Sequence, residues 1–266
     1  IHIRRWASSL AARGLDAFVL SRKQVSIDGV ELIPGEVPPW APWRPGRWAQ
    51  RQRGMLREAI RRVRPDVVNV HYLGPRSVFP EDLDGARLLV NTWGSDVVPL
   101  KPEPSGQREL KIRLLRAADG LMTSSDHLAR ATCEYAGLPR DRVVTNHWGV
   151  DLDRFRPGGP PTDEPTIGFV KQLLRHYGPD TLVRAFASVM KAVPNARLLM
   201  VGRGHMDAEL RTLAEELGVS SRIEWLGHVG YEQVPGLFAR TAVSAMPSTH
   251  EAFGMAAVES QAVGVP

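Results

Sequence analysis

Met246-Pro247-Ser248-Thr249-His250-Glu251-Ala252-Phe253-Gly254-Met255-Ala256-Ala257-Val258-Glu259 sets two carboxylates eight positions apart around a glycine. The run Ala242–Met246 predicts a strand leading into this stretch, and Met255–Ala262 predicts a helix leading out of it. A strand, a glycine turn and a helix in that order form the unit of an open α/β sheet. Such sheets bind their ligands in the crevice beyond the carboxyl ends of the strands. Glu251 falls just ahead of the helix, in that crevice, and Glu259 about one turn into it, on a face that can look back. The N–H groups of Phe253, Gly254 and Met255 form the positive end of the helix, a seat for a phosphate. The expected arrangement is a phosphate cradle flanked by two acceptors for sugar hydroxyls.

The same alternation runs outward through the chain. Strands are expected at Ala17–Leu20, Val67–Tyr72, Leu88–Trp93, Leu121–Ser124 and Val143–His147, with helices near Ile3–Arg13, Trp48–Arg64, Gln107–Ala118 and His127–Ala136. Arg156-Pro157-Gly158-Gly159-Pro160-Pro161 has the composition of a linker, and the pattern restarts after it. Strands follow at Thr166–Val170, Ala196–Val201, Arg222–Leu226 and Ala242–Met246, with helices near Asp180–Ala192, Met206–Leu217, Tyr231–Arg240 and Met255–Ala262. Short apolar strands separated by helices argue for parallel, doubly wound sheets. The expected fold is therefore α/β, with two Rossmann-like domains, residues 1–157 and 163–266, facing a cleft across a Gly/Pro hinge.

Composition narrows the function. Thirty-four basic against 29 acidic residues give a net charge of +5, suited to an anionic partner such as a nucleotide diphosphate or an acidic membrane surface. The excess is too small to argue for nucleic acid, and no nucleic-acid motif is present. Cys133 is the only cysteine, so an intrachain disulfide is excluded, and no Cys/His cluster has zinc spacing. A reducing cytoplasm is the simplest home, and no apolar run reaches the roughly 20 residues of a membrane span. Arg44–Arg64 holds eight arginines against Glu58 alone, and reads either as a solvated helix face or as a surface for anionic lipid. Pro34–Pro45, with five prolines plus Trp40 and Trp43, reads as an irregular loop.

The paired-glutamate block resembles the signature of the retaining family 4 glycosyltransferases, which have the GT-B fold. The resemblance extends to Trp148-Gly149-Val150-Asp151-Leu152-Asp153-Arg154-Phe155-Arg156-Pro157, which is similar to the family's lead into its second domain. It continues in Ile167-Gly168-Phe169-Val170, in Leu199-Met200-Val201-Gly202-Arg203-Gly204 and in Ile223-Glu224-Trp225-Leu226-Gly227-His228-Val229. The family has a first strand and a glycine-rich loop before its first helix, and further elements after its last one. This chain opens at Ile1 in an amphipathic helix and stops at Gly264-Val265-Pro266, so the resemblance implies a fragment truncated at both ends.

The resemblance implies transfer of a sugar from a nucleotide diphosphate with retention of configuration, with no cofactor and usually no metal. Negative charge then builds on the leaving diphosphate, and fixed cations stabilise it. The family carries these cations at the start of the second domain, where this chain reads Val170-Lys171-Gln172-Leu173-Leu174-Arg175-His176-Tyr177-Gly178. Aligned from the strand, Gln172 meets the family's arginine. Aligned on the lysine, Lys171 meets that arginine and His176 meets the lysine, with Tyr177 as an insertion. The second alignment keeps one cation, and Arg175 or His176 supplies the other. The family pattern makes Glu259 an acceptor for the ribose hydroxyls and places Glu251 near the transferred sugar.

In the first domain, Asn91-Thr92-Trp93-Gly94-Ser95-Asp96 is similar to the family's Thr-x-His-Gly-x-Asp, with Trp93 where the histidine stands. Trp93, Gly94, Ser95 and Asp96, with His2, form the expected acceptor side, although a loop-capping role for Asp96 is equally open. Asp151-Leu152-Asp153 reads as turn and capping residues rather than a metal motif. Gly202-x-Gly204 is too short for a dinucleotide fingerprint. His71 and His147 close strands and are expected to make local hydrogen bonds. The reading is a retaining glycosyltransferase of the cytoplasm, passing a sugar from a nucleotide-diphosphate sugar to a glycan or lipid-linked acceptor, with peripheral contact at the inner membrane face. A GT-B sugar-nucleotide epimerase or phosphorylase, and a non-catalytic nucleotide-sugar-binding fragment, stay open.

Overall fold

The computed structural model describes residues 2–21, 26–34, 45–74, 78, 80–158 and 165–266, with the side chains of His2 and residues 45–50 left outside the description. Two compact units emerge, Ile1–His147 and Trp148–Pro266.

The first unit runs α1 (His2–Ala11), β1 (Ala17–Ser21), β2 (Val30–Pro34), α2 (Pro45–Val63), β3 (Val67–His71), β4 (Arg87–Asn91), α3 (Ser105–Ala117), β5 (Gly120–Thr123), α4 (Asp126–Ala136) and β6 (Val143–Thr145). Strands β3 to β6 pair in chain order and all in parallel, while β1 and β2 form a separate parallel pair. Helix α4 shows why these elements form where they do. The Ser125 hydroxyl caps it by accepting from the Leu128 N–H, and Gly137 ends it in the left-handed conformation at φ +63°. Between these caps Leu128, Ala129, Cys133 and Ala136 fall on the buried face.

Arg53, Arg57 and Arg62 of α2 are engaged within the unit. Arg53 and Arg57 each reach the buried Asp82 carboxylate at 2.6 Å, Arg53 also meets Glu81 at 3.0 Å, and Arg62 meets Glu31 at 2.8 Å. Burial pushes the Asp82 carboxyl up, but hydrogen bonds from Arg53 and Arg57 outweigh it and hold the group below its usual range. These three guanidiniums thus turn to the protein's own acids. Among the described residues no helix is long and apolar enough to cross a membrane.

The second unit runs β7 (Thr166–Val170), α5 (Pro179–Ala192), β8 (Arg197–Val201), α6 (Asp207–Glu216), β9 (Ile223–Gly227), α7 (Val234–Phe238), β10 (Val243–Ser244) and α8 (Met255–Ala262). Its parallel sheet has the order β10-β7-β8-β9. The chain steps from β7 to β8 to β9, then returns to place β10 on the other side of β7. This reversal is the switch point at which an open α/β sheet parts its loops and makes room for a ligand. Phe169, Leu198 and Met200 pack against Val183, Phe186, Leu210 and Leu213 to form one core. Phe155, Val234, Phe238, Ala256 and Val263 form another.

Phe155 explains where the chain divides. The sequence puts the first domain's end at 157, but the fully buried Phe155 ring belongs to the second unit's core, so Trp148–Pro157 travels with that unit. Asp151 closes the turn beneath it, its carbonyl accepting from the Phe155 N–H at 2.7 Å and its carboxylate from the Arg154 N–H at 3.3 Å. Two further points differ from the sequence reading, and a third lies outside the described residues. Strand β2 was not foreseen. The single helix expected over Tyr231–Arg240 opens as a 3-10 turn at Tyr231–Gln233 before α7. Most of the proline-rich segment expected as a loop, residues 35–44, lies outside the described residues.

Candidate functional site

Lys171 immediately follows β7, and its N–H donates to the Val201 carbonyl of β8 at 3.0 Å. The approach is closer than any side chain would allow. Gly202 sits at φ +134°, and a Cβ there would stand 1.9 Å from the Lys171 carbonyl oxygen; one on Gly204 would stand 2.1 Å from the Leu173 oxygen. The Gly-x-Gly pair thus lets the chain leaving β8 run against the backbone that carries Lys171.

The Lys171 ammonium is largely buried. It pairs with Glu251 Oε1 and lies 4.3 Å from the centre of the Tyr177 ring. Burial pulls its pKa down from 10.5 to about 8, with the nearby Glu259 carboxylate pulling the other way. Glu251 arrives on the loop after β10, and Ser248 donates to the same carboxylate oxygen at 2.9 Å. The two loops are pinned together. The Thr249 N–H donates to the His176 carbonyl at 2.9 Å, and Gly178, at φ +66°, lies so close to the Pro247 carbonyl that a Cβ would stand 2.3 Å from its oxygen.

Glu259 is buried on α8 and accepts from the Tyr231 hydroxyl at 2.8 Å. Gly254, at φ +82°, leads into α8, and among the described residues the Gly254 and Met255 N–H groups make no hydrogen bond. Phe253 packs against Trp148 with ring centres 6.4 Å apart. The His176 ring lies 4.0 Å from that of Tyr177, and burial, followed by the positive fields of His250, Lys171 and His205, lowers its pKa. The carboxyl edge of β7 and β10 thus gathers a lysine, a histidine, two carboxylates and the amino end of a helix. Such a set can hold a diphosphate while accepting hydrogen bonds from hydroxyl groups.

Other expected residues go elsewhere. Arg175 points to α6, with Nη2 at 3.0 and 3.1 Å from the two Glu209 oxygens, while His176 lies in the positive field of Lys171. Asp96 is fully buried and accepts from the Leu73, Trp93 and Gly94 N–H groups at 2.8–3.2 Å. It therefore caps this loop, one of the two roles the sequence left open for it. Lys111 holds the same loop, donating to the Asp96 carbonyl at 2.7 Å and pairing with the buried Glu103 at 2.6 Å. Burial raises the Glu103 carboxyl, but hydrogen bonds from Lys111 and Tyr135 outweigh it and keep it low.

Trp93 is half-buried, and Ser95 is exposed with its hydroxyl 3.4 Å from that of Tyr72. His71 makes no ring hydrogen bond among the described residues. Instead it sits edge-on to Trp6 and Trp93, with each pair of ring centres 5.8 Å apart, and burial drops its pKa to about 4. His147 does make the expected local bond, its Nδ1 3.1 Å from the Ser124 carbonyl oxygen. The His2 side chain lies outside the described residues. Sequence reasoning missed Tyr231, and it treated Tyr177 only as an inserted residue.

The fold has clear counterparts among solved structures. Sucrose-phosphate synthase from Thermosynechococcus elongatus aligns over 100% of this chain and 73% of its own, with a TM-score of 0.83 and 19% identity. Anabaena HepE, solved with UDP-glucose, aligns over 99% of this chain and 74% of its own, with a TM-score of 0.73 and 17% identity. The architecture is that of the GT-B glycosyltransferases. Residues 1–154 match the model described as Glycosyltransferase Family 4, and residues 152–266 match that of glycosyl transferases group 1. The chain belongs to glycosyltransferase family 4. Curated relatives include the D-inositol 3-phosphate glycosyltransferases of Mycobacterium tuberculosis and Mycobacterium bovis, each 33% identical over 180 residues. Those alignments cover 62% of this chain and 36% of the relatives' length, so the chain spans about a third of the proteins it matches.

Proposed function

We propose that this chain carries the donor-binding and transfer machinery of a retaining glycosyltransferase that uses a nucleotide-diphosphate sugar. The observation that carries the reading is the ion pair of Lys171 with Glu251, in the field of Glu259, at the β7–β10 switch point. Lys171, with His176 beside it and the α8 N–H groups, receives the diphosphate and stabilises the charge that grows on it. Glu259 accepts from the ribose hydroxyls, and Glu251 exchanges Lys171 for the hydroxyls of the transferred sugar. The bond from the anomeric carbon to the diphosphate oxygen breaks. The acceptor oxygen bonds to that carbon on the same face, and its proton passes to the departing diphosphate. No cofactor or metal is assigned a part. The acceptor is a glycan or lipid-linked saccharide met at the inner membrane face from the cytoplasm, with the Trp93–Ser95 loop on the acceptor side.

Calorimetric titration with UDP and UDP-glucose tests the assignment. Loss of a charge-assisted hydrogen bond costs about 1.5–3 kcal/mol, so Glu259→Ala should weaken both ligands roughly ten- to hundredfold. Glu251→Ala should leave UDP unharmed and weaken only UDP-glucose. Wild-type UDP affinity in the Glu259 variant would refute the ribose assignment. Trp93 in the histidine's place and the committed Asp96 carboxylate favour a second reading, nucleotide-sugar binding without turnover. Release of glucose from UDP-glucose would exclude it.

A further inference from the structure

Lys171 poses a physical problem. A lysine this deep in the protein tends to shed its proton, because burial penalises the charged form. A carboxylate partner solves this only in part, since it must be displaced before the ammonium can meet a diphosphate. The face of an aromatic ring stabilises a cation without bearing a charge of its own, and so does not compete with an arriving anion in the same way.

Tyr177 presents such a face. The ammonium lies 4.3 Å from its ring centre, and the ring is anchored against the core that contains Phe169 and Phe186. The Tyr177 N–H donates to the Leu174 carbonyl at 2.9 Å, and the next residue is Gly178, lodged against the Pro247 carbonyl. Burial raises the phenol's pKa, so the ring stays neutral where Lys171 titrates. The His176 ring rests on the same aromatic side chain at 4.0 Å. Among the described residues, Glu251 and Glu259 act on Lys171, and His250 and His205 act on His176.

We infer that Tyr177 is a positioning residue that keeps the Lys171 ammonium charged and in place for a diphosphate, a role that rests on the donor-binding reading above. During donor binding Glu251 turns from Lys171 to the sugar while the ring remains. Tyr177 thereby makes the residue inserted beside His176 a functional part of the site.

The test is an NMR titration of the Lys171 side-chain amine in the wild type, Tyr177→Phe and Tyr177→Leu, paired with UDP calorimetry at pH 6 and pH 8. The phenylalanine variant keeps the ring and should titrate with the wild type. The leucine variant should titrate about one pH unit lower. It should lose about fivefold in UDP affinity at pH 8, where about half of the wild-type ammonium but only about a tenth of the variant's is charged, and almost nothing at pH 6. Pentafluorophenylalanine placed at Tyr177 keeps the size and inverts the ring's charge distribution, so it should behave like leucine and serves where the leucine variant folds poorly. A leucine variant titrating with the wild type would overturn the inference, as would a phenylalanine variant shifted as far as leucine. If the wild type fails to bind UDP while the leucine variant still shifts Lys171, the donor reading falls and the ring's effect on the charge stands.

Discussion

Gly202→Ala is the substitution whose consequence the structure states in most detail. The residue sits at φ +134°, where a side chain costs about 1–3 kcal/mol in backbone strain. The new Cβ would also stand 1.9 Å from the Lys171 carbonyl oxygen and 2.7 Å from its carbon. Both are backbone atoms fixed in the sheet's exit, and forcing them apart costs about another 1–3 kcal/mol. The middle of the combined range is about 4 kcal/mol, a large share of the roughly 5–15 kcal/mol that holds a domain folded. For a unit of this size that lowers Tm by about 16 °C. Gly218→Ala is the matched control. Its φ is +68° but nothing lies within 4 Å of the new Cβ, so only the conformational cost of about 1 kcal/mol, or about 4 °C, applies. Thermal unfolding followed by circular dichroism measures both, and UDP binding below the transition should fall in the Gly202 variant alone. Equal losses in the two variants, or a Gly202→Ala Tm within about 4 °C of wild type, would refute the steric argument.

Two further outcomes are expected. Nucleotide binding should depend on the Lys171 proton: UDP affinity should be flat below about pH 7 and fall by up to about tenfold per unit as pH rises through about 8. Lys171→Ala should remove that slope. The stability effect has the opposite sense, because the unfolded lysine keeps its proton to about pH 10 while the folded one releases it near 8, so folding gains between those values. In the first unit, Lys111→Met should cost about 3–5 kcal/mol by leaving Glu103 charged and buried without its partner, measurable by urea denaturation.

The fold was legible where period and composition agreed. Thr166–Val170 and Met255–Ala262 appear with the expected bounds, because an apolar strand and a glycine-led helix each announce themselves locally. Val30–Pro34 did not, since a five-residue strand between Asp28-Gly29 and a proline-rich run looks like part of a loop. The site's carboxylates were picked out by their spacing and Lys171 by the family resemblance, but their partners could not be. Arg175 reads as a donor-site cation until Glu209, 34 residues on, is found beside it. Asp96 reads equally as an acceptor contact or a loop cap until the three N–H groups it accepts from are folded around it. Tyr177 was invisible as a functional residue because its contribution is a ring face, which depends on distance rather than on residue order. Gly202 and Gly204 were read only as too short for a dinucleotide fingerprint; their reason for being glycine lies in the backbone of a neighbouring strand exit.

The pinning of the β7 loop to the β10 loop bears on how the protein is made. Thr249 and His176 are 73 residues apart, and Glu251 belongs to the last segment before the final helix. On the ribosome, Lys171 emerges well before the carboxylates and threonine that secure its surroundings. A nascent chain ending short of Val243 could already hold β7, β8 and β9, yet its lysine would face water or a chaperone instead of Glu251. Contacts this distant in sequence form late, after the long intervening loop has been closed. Nucleotide added to a translation reaction should accordingly leave early intermediates untouched and select only chains that have already formed β10 and α8.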